Sequence, residues 1–216
     1  MVPIFAVPFG VVPLRNAPQV NPGLAALLAS RATEEHREAT MPRDPLCYRS
    51  REEVFEWDAD EIRWLRSELL AALCGAVGSV NEFTEAEFDS LKVQARARFV
   101  LVRRNGCVMA SSAPMASWFA IYCVAAPTPV PERADSASLR LYGIRQGTMF
   151  KDAANWRLRV PFADSHYLWR PVAGEAAVFP ASLLHEITLN RGQSDLVLVM
   201  TRLRFAHGGE GPMPPW

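Results

Sequence analysis

Hydrophobic positions along this chain change their period near its middle. Up to about residue 90 they recur at helical spacing. Asn21-Pro22 reads as a helix start, a capping side chain followed by proline at the first helical position, leading into Leu24, Leu27 and Leu28. A longer helix is predicted from Asp58 or Asp60, where acidic residues stand at the positive end of the helix dipole. Its residues Ile62, Leu65, Leu69, Leu73 and Val77 form one core-facing stripe.

From Leu91 the period becomes two. Lys92, Gln94, Arg96 and Arg98 alternate with Val93, Ala95, Ala97 and Phe99, the pattern of a half-buried strand. Further strands are predicted at Trp118 to Val124, Ser138 to Arg145, Asn155 to Val160, Ser165 to Arg170, Ala176 to Phe179, Leu183 to Leu189 and Leu196 to Phe205, separated by Pro, Gly, Asn and Asp. Many short strands at this spacing predict a mainly β sandwich or barrel with helices on one side. The expected layout is one domain: a mostly helical buttress over 1–90, a β core over 91–206 and a tail over 207–216.

Composition narrows the function classes. A chain of 216 residues with 50% apolar content supports one substantial core. With 23 basic and 23 acidic residues there is no electrostatic footprint of a nucleic-acid partner. Lys92 and Lys151 are the only lysines, an arginine bias that codon usage accounts for. The apolar opening lacks a basic region and is broken by Pro3, Pro8 and Pro13, unlike a signal peptide. No run approaches the length of about 18 apolar residues that a membrane span needs. Cys47, Cys74, Cys107 and Cys123 are widely spaced, which predicts free thiols in a reducing cytoplasm. Arg103 and Arg104 precede Cys107 closely enough to activate its thiol if they face it, but a structural cysteine is the simpler expectation. His36 is expected to be solvated among Glu34, Glu35, Arg37 and Glu38, and His207 to sit in a surface tail.

Several segments, in order, resemble a known family. They are Pro3 to Phe9, Phe55-Glu56-Trp57 before the long helix, Arg104-Asn105-Gly106, Pro114 to Pro127 with Trp118 and Tyr122, and Val178-Phe179-Pro180 with His185. Over nearly its whole length the chain is similar to the bacterial 2-oxoglutarate and iron(II)-dependent oxygenases. That resemblance implies a double-stranded β-helix, or jelly roll, with helices buttressing the larger sheet.

It also implies a metal motif that is not here. Members carry histidine-x-histidine-proline ahead of the tryptophan-containing strand, where this chain has Ser111-Ser112-Ala113-Pro114. Non-haem iron oxygenases hold iron by three ligands on one face. A serine hydroxyl is a poor ligand, Ala113 supplies no donor, and His185 alone is not expected to retain iron. The family's co-substrate arginine falls about ten residues after the histidine, where its fork grips a carboxylate. This chain has Leu196 there. Arg202 shares its parity but lies about 20 Å further along a strand. Arg191, in the preceding turn, either reaches inward to the co-substrate or is a surface arginine.

Three readings follow. In the first, this is a pseudo-oxygenase with no cofactor, its barrel serving as a pocket for a small molecule, a docking site for a partner protein, or a metal-independent active site. Ser111, Ala113, Trp118, Tyr122, His185 and Leu196 then line the pocket, although for Trp118 and Tyr122 the core is the safer reading. In the second, it is a working hydroxylase-type oxygenase using iron(II) and 2-oxoglutarate. Asp164 and His166, two apart and so on one face of a strand, would join His185 as relocated ligands. Glu186 faces away from His185 unless a bulge intervenes. In the third, it is a structural partner, for instance in a homodimer.

Overall fold

The computed structural model describes residues 6–40, 43–143, 153, 158, 166–207 and 216. Two antiparallel sheets face each other. The larger has six strands: β1 (Gly10–Pro13), β2 (Cys47–Arg49), β3 (Lys92–Val102), β5 (Trp118–Ala125), β8 (Glu175–Pro180) and β10 (Leu196–Ala206), in the order β1-β8-β5-β10-β3-β2. The smaller holds β4 (Val108–Ser111), β6 (Leu139–Tyr142), β7 (His166–Trp169) and β9 (His185–Ile187), in the order β4-β9-β6-β7. From β3 onward the chain passes back and forth between the sheets, which makes this a double-stranded β-helix.

Helices α1 (Ala17–Ser30) and α2 (Asp60–Val80) lie against the larger sheet, and a short α3 (Glu85–Asp89) leads into β3. The apolar stripe of α2 is buried as its period requires: Ile62, Leu65, Leu69, Leu73 and Val77 are all within 3% of fully buried. Helix α1 starts earlier than Asn21-Pro22 suggests. Asn16 precedes it in a left-handed conformation (φ 59°), Pro18 sits in its first turn, and Pro22 is inside the helix. Proline there costs only the bond to the carbonyl four residues back, near the helix start. Asn21 is not a cap: its Nδ2 donates to the Val124 carbonyl at 3.0 Å and its Oδ1 accepts from the Tyr122 hydroxyl at 2.5 Å.

Residues 1–90 also supply β1 and β2, strands too short for a periodic signal, which extend the larger sheet at both edges. The predicted strands that begin at Leu91, Trp118, Ser138, Ser165, Ala176, Leu183 and Leu196 correspond to β3, β5, β6, β7, β8, β9 and β10, whereas β4 was not foreseen. The predicted strand at 155–160 lies outside the described residues.

Strand parity builds two cores. Between the larger sheet and the helices lie Phe99, Leu101, Ala120, Tyr122, Val124, Val199 and Leu203, packed on the leucines of α1 and α2. Between the sheets lie Val100, Val102, Phe119, Ile121, Cys123, Leu196, Leu198 and Met200, facing Leu139, Leu141 and Ile187. Strands covered on both faces read as unbroken apolar runs, as in Trp118 to Ala125. The turn after β3 is locked to the turn after β9: Asn105 N–H donates to the Asn190 carbonyl at 2.6 Å, and Asn190 N–H to the Gly106 carbonyl at 2.9 Å. A Cβ on Gly106 would stand 2.2 Å from the Leu46 carbonyl oxygen, so only glycine fits.

Candidate functional site

The smaller sheet carries His185 at the start of β9, paired across to Ser111 of β4 and to Leu141 of β6. Directly paired residues share a face, and Leu141 belongs to the core between the sheets, so His185 points into the barrel. It is 5% exposed, its ring lying 4.8 Å from Phe119 and 5.2 Å from Phe179 between centroids. Nδ1–H donates to the Leu183 carbonyl at 2.9 Å, which fixes the tautomer and leaves the lone pair on Nε2. Burial pushes the imidazole below its ordinary 6.5; the Leu183 carbonyl opposes this, and the positive charge of Arg49 adds to it. His185 is therefore a neutral acceptor at pH 7 in an aromatic setting.

Ser111, opposite His185, is exposed, and Ala113 is half-buried against the inter-sheet core, its N–H donating to the Ala181 carbonyl at 2.9 Å. Leu196 opens β10 on the inner face and is fully buried opposite Val102. These residues and His185 belong to the same barrel.

Other expectations are corrected. Tyr122 and Trp118 turn to the helix side of the larger sheet, because inner parity on β5 falls to Phe119, Ile121 and Cys123. Tyr122 is fully buried, stacked edge-on against Trp64 at 6.1 Å and bonded to Asn21. His166 pairs with Tyr142, one residue out of phase with the Leu141–His185 pair, so it lies on the opposite face of the smaller sheet from His185. That separation breaks the proposed trio of His185, His166 and Asp164; Asp164 itself lies outside the described residues. Among the described residues no group of three or more His, Cys, Asp or Glu side chains could hold a metal ion. Arg191 does not reach into the barrel. With Arg133, Arg140, Asp135 and Glu186 it lines a hollow of about 490 Å³ that opens on the outer face of the smaller sheet, and its Nη1 donates to Asn105 at 3.0 Å. Glu186 also faces outward, bonded to Arg140 at 2.7 Å.

His36 is buried rather than solvated. Its Nδ1–H donates to Glu53 at 2.5 Å and its Nε2 faces Arg31 Nη1 at 3.2 Å. The four cysteines are free thiols. Burial pushes Cys47 up to about 11 and Cys123 up to about 12, so both are protonated at neutral pH.

The residues that sequence reasoning missed are the charges lining the larger sheet. Arg98 has the inner parity of Val100, and Arg202 that of Met200. Arg49 pairs with Val100 and so faces inward from β2. Register sets them in rows: Arg202 is level with Phe119 and Phe179, Arg98 with Met200 and Ile121, and Arg49 one row deeper with Leu198. Arg98 bonds Glu38 at 2.9 Å and also Glu52, which Arg202 shares. The Arg49 side chain makes no hydrogen bond or ion pair among the described residues, and burial followed by the charge of Arg98 lowers its pKa. The Trp216 ring stacks on Arg202 at 4.3 Å and Arg204 at 3.9 Å. The only sequence signal for this wall was the polar half of the alternation over 92–98, together with Arg202 and Arg204 at matching parity.

No protein-family model and no curated protein matches the chain. Solved structures do. A prolyl-4-hydroxylase from Pseudomonas putida is 14% identical, with 91% of this chain and 92% of that one covered and a TM-score of 0.58. AviO1 from Streptomyces viridochromogenes Tue57 is 17% identical, with 97% and 94% covered and a TM-score of 0.57. HygX from Streptomyces hygroscopicus, solved with nickel and 2-oxoglutarate bound, is 12% identical, with 92% and 83% covered and a TM-score of 0.57. The fold of this chain is that of the 2-oxoglutarate oxygenases.

No helix among the described residues is long and apolar enough to cross a membrane.

Proposed function

We propose that this protein keeps the oxygenase barrel as a small-molecule pocket and does not run iron and 2-oxoglutarate chemistry. The observation that carries the reading is the pairing of His185 with Ser111 across β9 and β4, with Ala113 two residues on. Three ligands on one face are what non-haem iron needs. The positions beside His185 offer a hydroxyl and a methyl, so the donor set does not fit iron(II). Leu196, apolar and fully buried, supports the same reading for the co-substrate, since no guanidinium stands there to grip a distal carboxylate. The outward-facing His166 removes support from a relocated metal site.

Within such a pocket His185 acts as a hydrogen-bond acceptor. Its Nδ1–H is held by the Leu183 carbonyl, so Nε2 receives a proton or hydrogen bond from a ligand hydroxyl, amine or acid. Phe119 and Phe179 exclude water on two sides of the ring and supply apolar contact.

The test is metal content and 2-oxoglutarate affinity after anaerobic loading with iron(II). Substoichiometric iron, without micromolar co-substrate binding, is expected. Stoichiometric iron with micromolar 2-oxoglutarate affinity would overturn the proposal.

A further inference from the structure

We infer that the hollow on the outer face of the smaller sheet is a second ligand site, one that takes an aliphatic carboxylate with its charged end on Arg133 and Arg191 and its chain along Met109 and Leu189. The inference is independent of what the barrel holds.

Register builds the floor of the hollow. Arg140 of β6 pairs directly with Glu186 of β9 on the face turned away from His185. Both of its Nη groups are committed, one to Glu186 at 2.7 Å and the other to Asp135 at 3.7 Å, so the two carboxylates of the hollow are engaged on one arginine. Its other two arginines face none. Arg133 bonds no side chain among the described residues, and Arg191 meets only the neutral Asn105. The lining charges, Arg133, Arg140 and Arg191 against Asp135 and Glu186, leave one positive charge over. Those next to it in the chain or the fold cancel: Arg104, bonded to Gln193, and Arg170, bonded to the Ala134 carbonyl, stand against Glu132 and Asp195, while Arg103 turns away to the Pro45 carbonyl. One donor of the hollow is also orphaned, since Arg140 Nε is buried without an acceptor. Buried polar groups are almost always paired, which makes such a donor a mark of a missing partner.

The two unneutralised arginines stand on turns that are bonded to each other. Arg191 N–H donates to Ser136 Oγ at 2.9 Å, Ser136 N–H donates to the Arg133 carbonyl at 2.9 Å, and Ala137 N–H donates to the Leu189 carbonyl at 3.1 Å. A rim fixed in this way loses little freedom when a ligand arrives. Beside it Met109 is 78% exposed and Leu189 40% exposed, and no aromatic side chain lines the hollow. Cationic forks next to aliphatic surface suit an amphipathic anion, and the planar fork of arginine matches the two oxygens of a carboxylate. One surplus charge favours a monoanion over a dianionic phosphate ester. The volume of about 490 Å³ is that of a small-molecule site.

Cys107 lines the same hollow and reports on it. Its alkylation by the neutral reagent iodoacetamide, read by peptide mass spectrometry, is followed as octanoate is added to the full chain, with octanamide as the neutral counterpart and octyl phosphate as the dianionic one; isothermal titration gives the affinities. Octanoate is expected to slow modification of Cys107 and not of Cys74, and octanamide to do so more weakly. Arg133→Met and Arg191→Met, both at exposed positions, should each weaken octanoate about three- to tenfold, with circular dichroism checking the fold. His185→Gln, inside the barrel, should leave the protection of Cys107 unchanged. Absence of octanoate binding at millimolar concentration, binding that leaves Cys107 unprotected, equal affinity for acid and amide, or equal affinity in wild type and the double arginine variant overturns the inference. Protection lost in His185→Gln also overturns it, by placing the ligand in the barrel. Tighter arginine-dependent binding of octyl phosphate than of octanoate overturns the carboxylate class.

Discussion

Arg49→Met should leave the protein about as stable as wild type. The side chain makes no hydrogen bond or ion pair among the described residues, none of its nitrogens is both buried and unpartnered, and the positive charge of Arg98 repels it. Methionine keeps an unbranched stem and removes that repulsion, which at a partly exposed site is worth about 0–1 kcal/mol. Against this stands the loss of attraction to Glu38 and Glu52, which Arg98 and Arg202 already neutralise. The balance is a change of no more than about 0.5 kcal/mol, or roughly 1–2 °C in Tm for a chain of this size. Arg98→Met is the contrast. It strips Glu38 of its bonded partner and Glu52 of one of two, and because these side chains are 13–20% exposed the loss is about 2 kcal/mol rather than the 3–5 kcal/mol of a fully buried pair. Urea midpoints followed by tryptophan fluorescence measure both. A loss of 1 kcal/mol or more in Arg49→Met would refute the reasoning, because Arg49 would then be a structural partner of the charged wall.

Tyr122→Phe leaves Asn21 Oδ1 without its buried donor and should cost about 1–3 kcal/mol, read from the urea midpoint; a change below 0.5 kcal/mol would mean the bond contributes little. His185 has a folded pKa below its ordinary 6.5, so below that pH the unfolded chain binds more protons than the native one. The stability it contributes is therefore complete above about pH 6.5 and is lost as pH falls toward its native pKa. His185→Gln should flatten the fall in urea midpoint between about pH 7 and pH 5, and an unchanged slope would count against a buried neutral imidazole. Ser111→His combined with Ala113→Asp adds an imidazole and a carboxylate beside His185, completing two histidines and a carboxylate. The double variant should bind cobalt(II), seen in its visible spectrum, where wild type does not; equal spectra would show that these positions do not converge.

What the sequence revealed depended on the range of the interaction. The stripe of α2 was legible because period and burial are properties of one helix, and the strands from β5 to β10 because alternation and turn residues are local. Which face of a strand meets which layer is not local. Trp118 to Ala125 is apolar at every position, so parity alone could not say that Phe119 looks into the barrel while Tyr122 looks at α1 and α2. Asn21 shows the same limit in a helix, since an Asn-Pro pair reads as a helix start unless one knows that Tyr122 and Val124 wait above it. His185 and its missing companions were legible only through the order of segments that carries the resemblance, since β4 has no periodic signal and its pairing of Ser111 with His185 is long-range.

The charged wall was hidden for a further reason. Lys92, Gln94, Arg96 and Arg98 look like the wet side of a half-buried strand, and for a single sheet they would be. Here the smaller sheet closes over the deeper part of that same face, so the polar half of the alternation leads from open solvent into the inter-sheet core, with Arg98 only 20% exposed at the transition. Arg49 joins it only because β2, a three-residue strand without a periodic signal, docks at the sheet edge. Edge pairing sets Arg49 facing inward beside Cys47 and Val100 with no bonded side-chain partner among the described residues, whereas Arg98 is bonded to both Glu38 and Glu52. That difference is the physical reason the two substitutions should separate in stability.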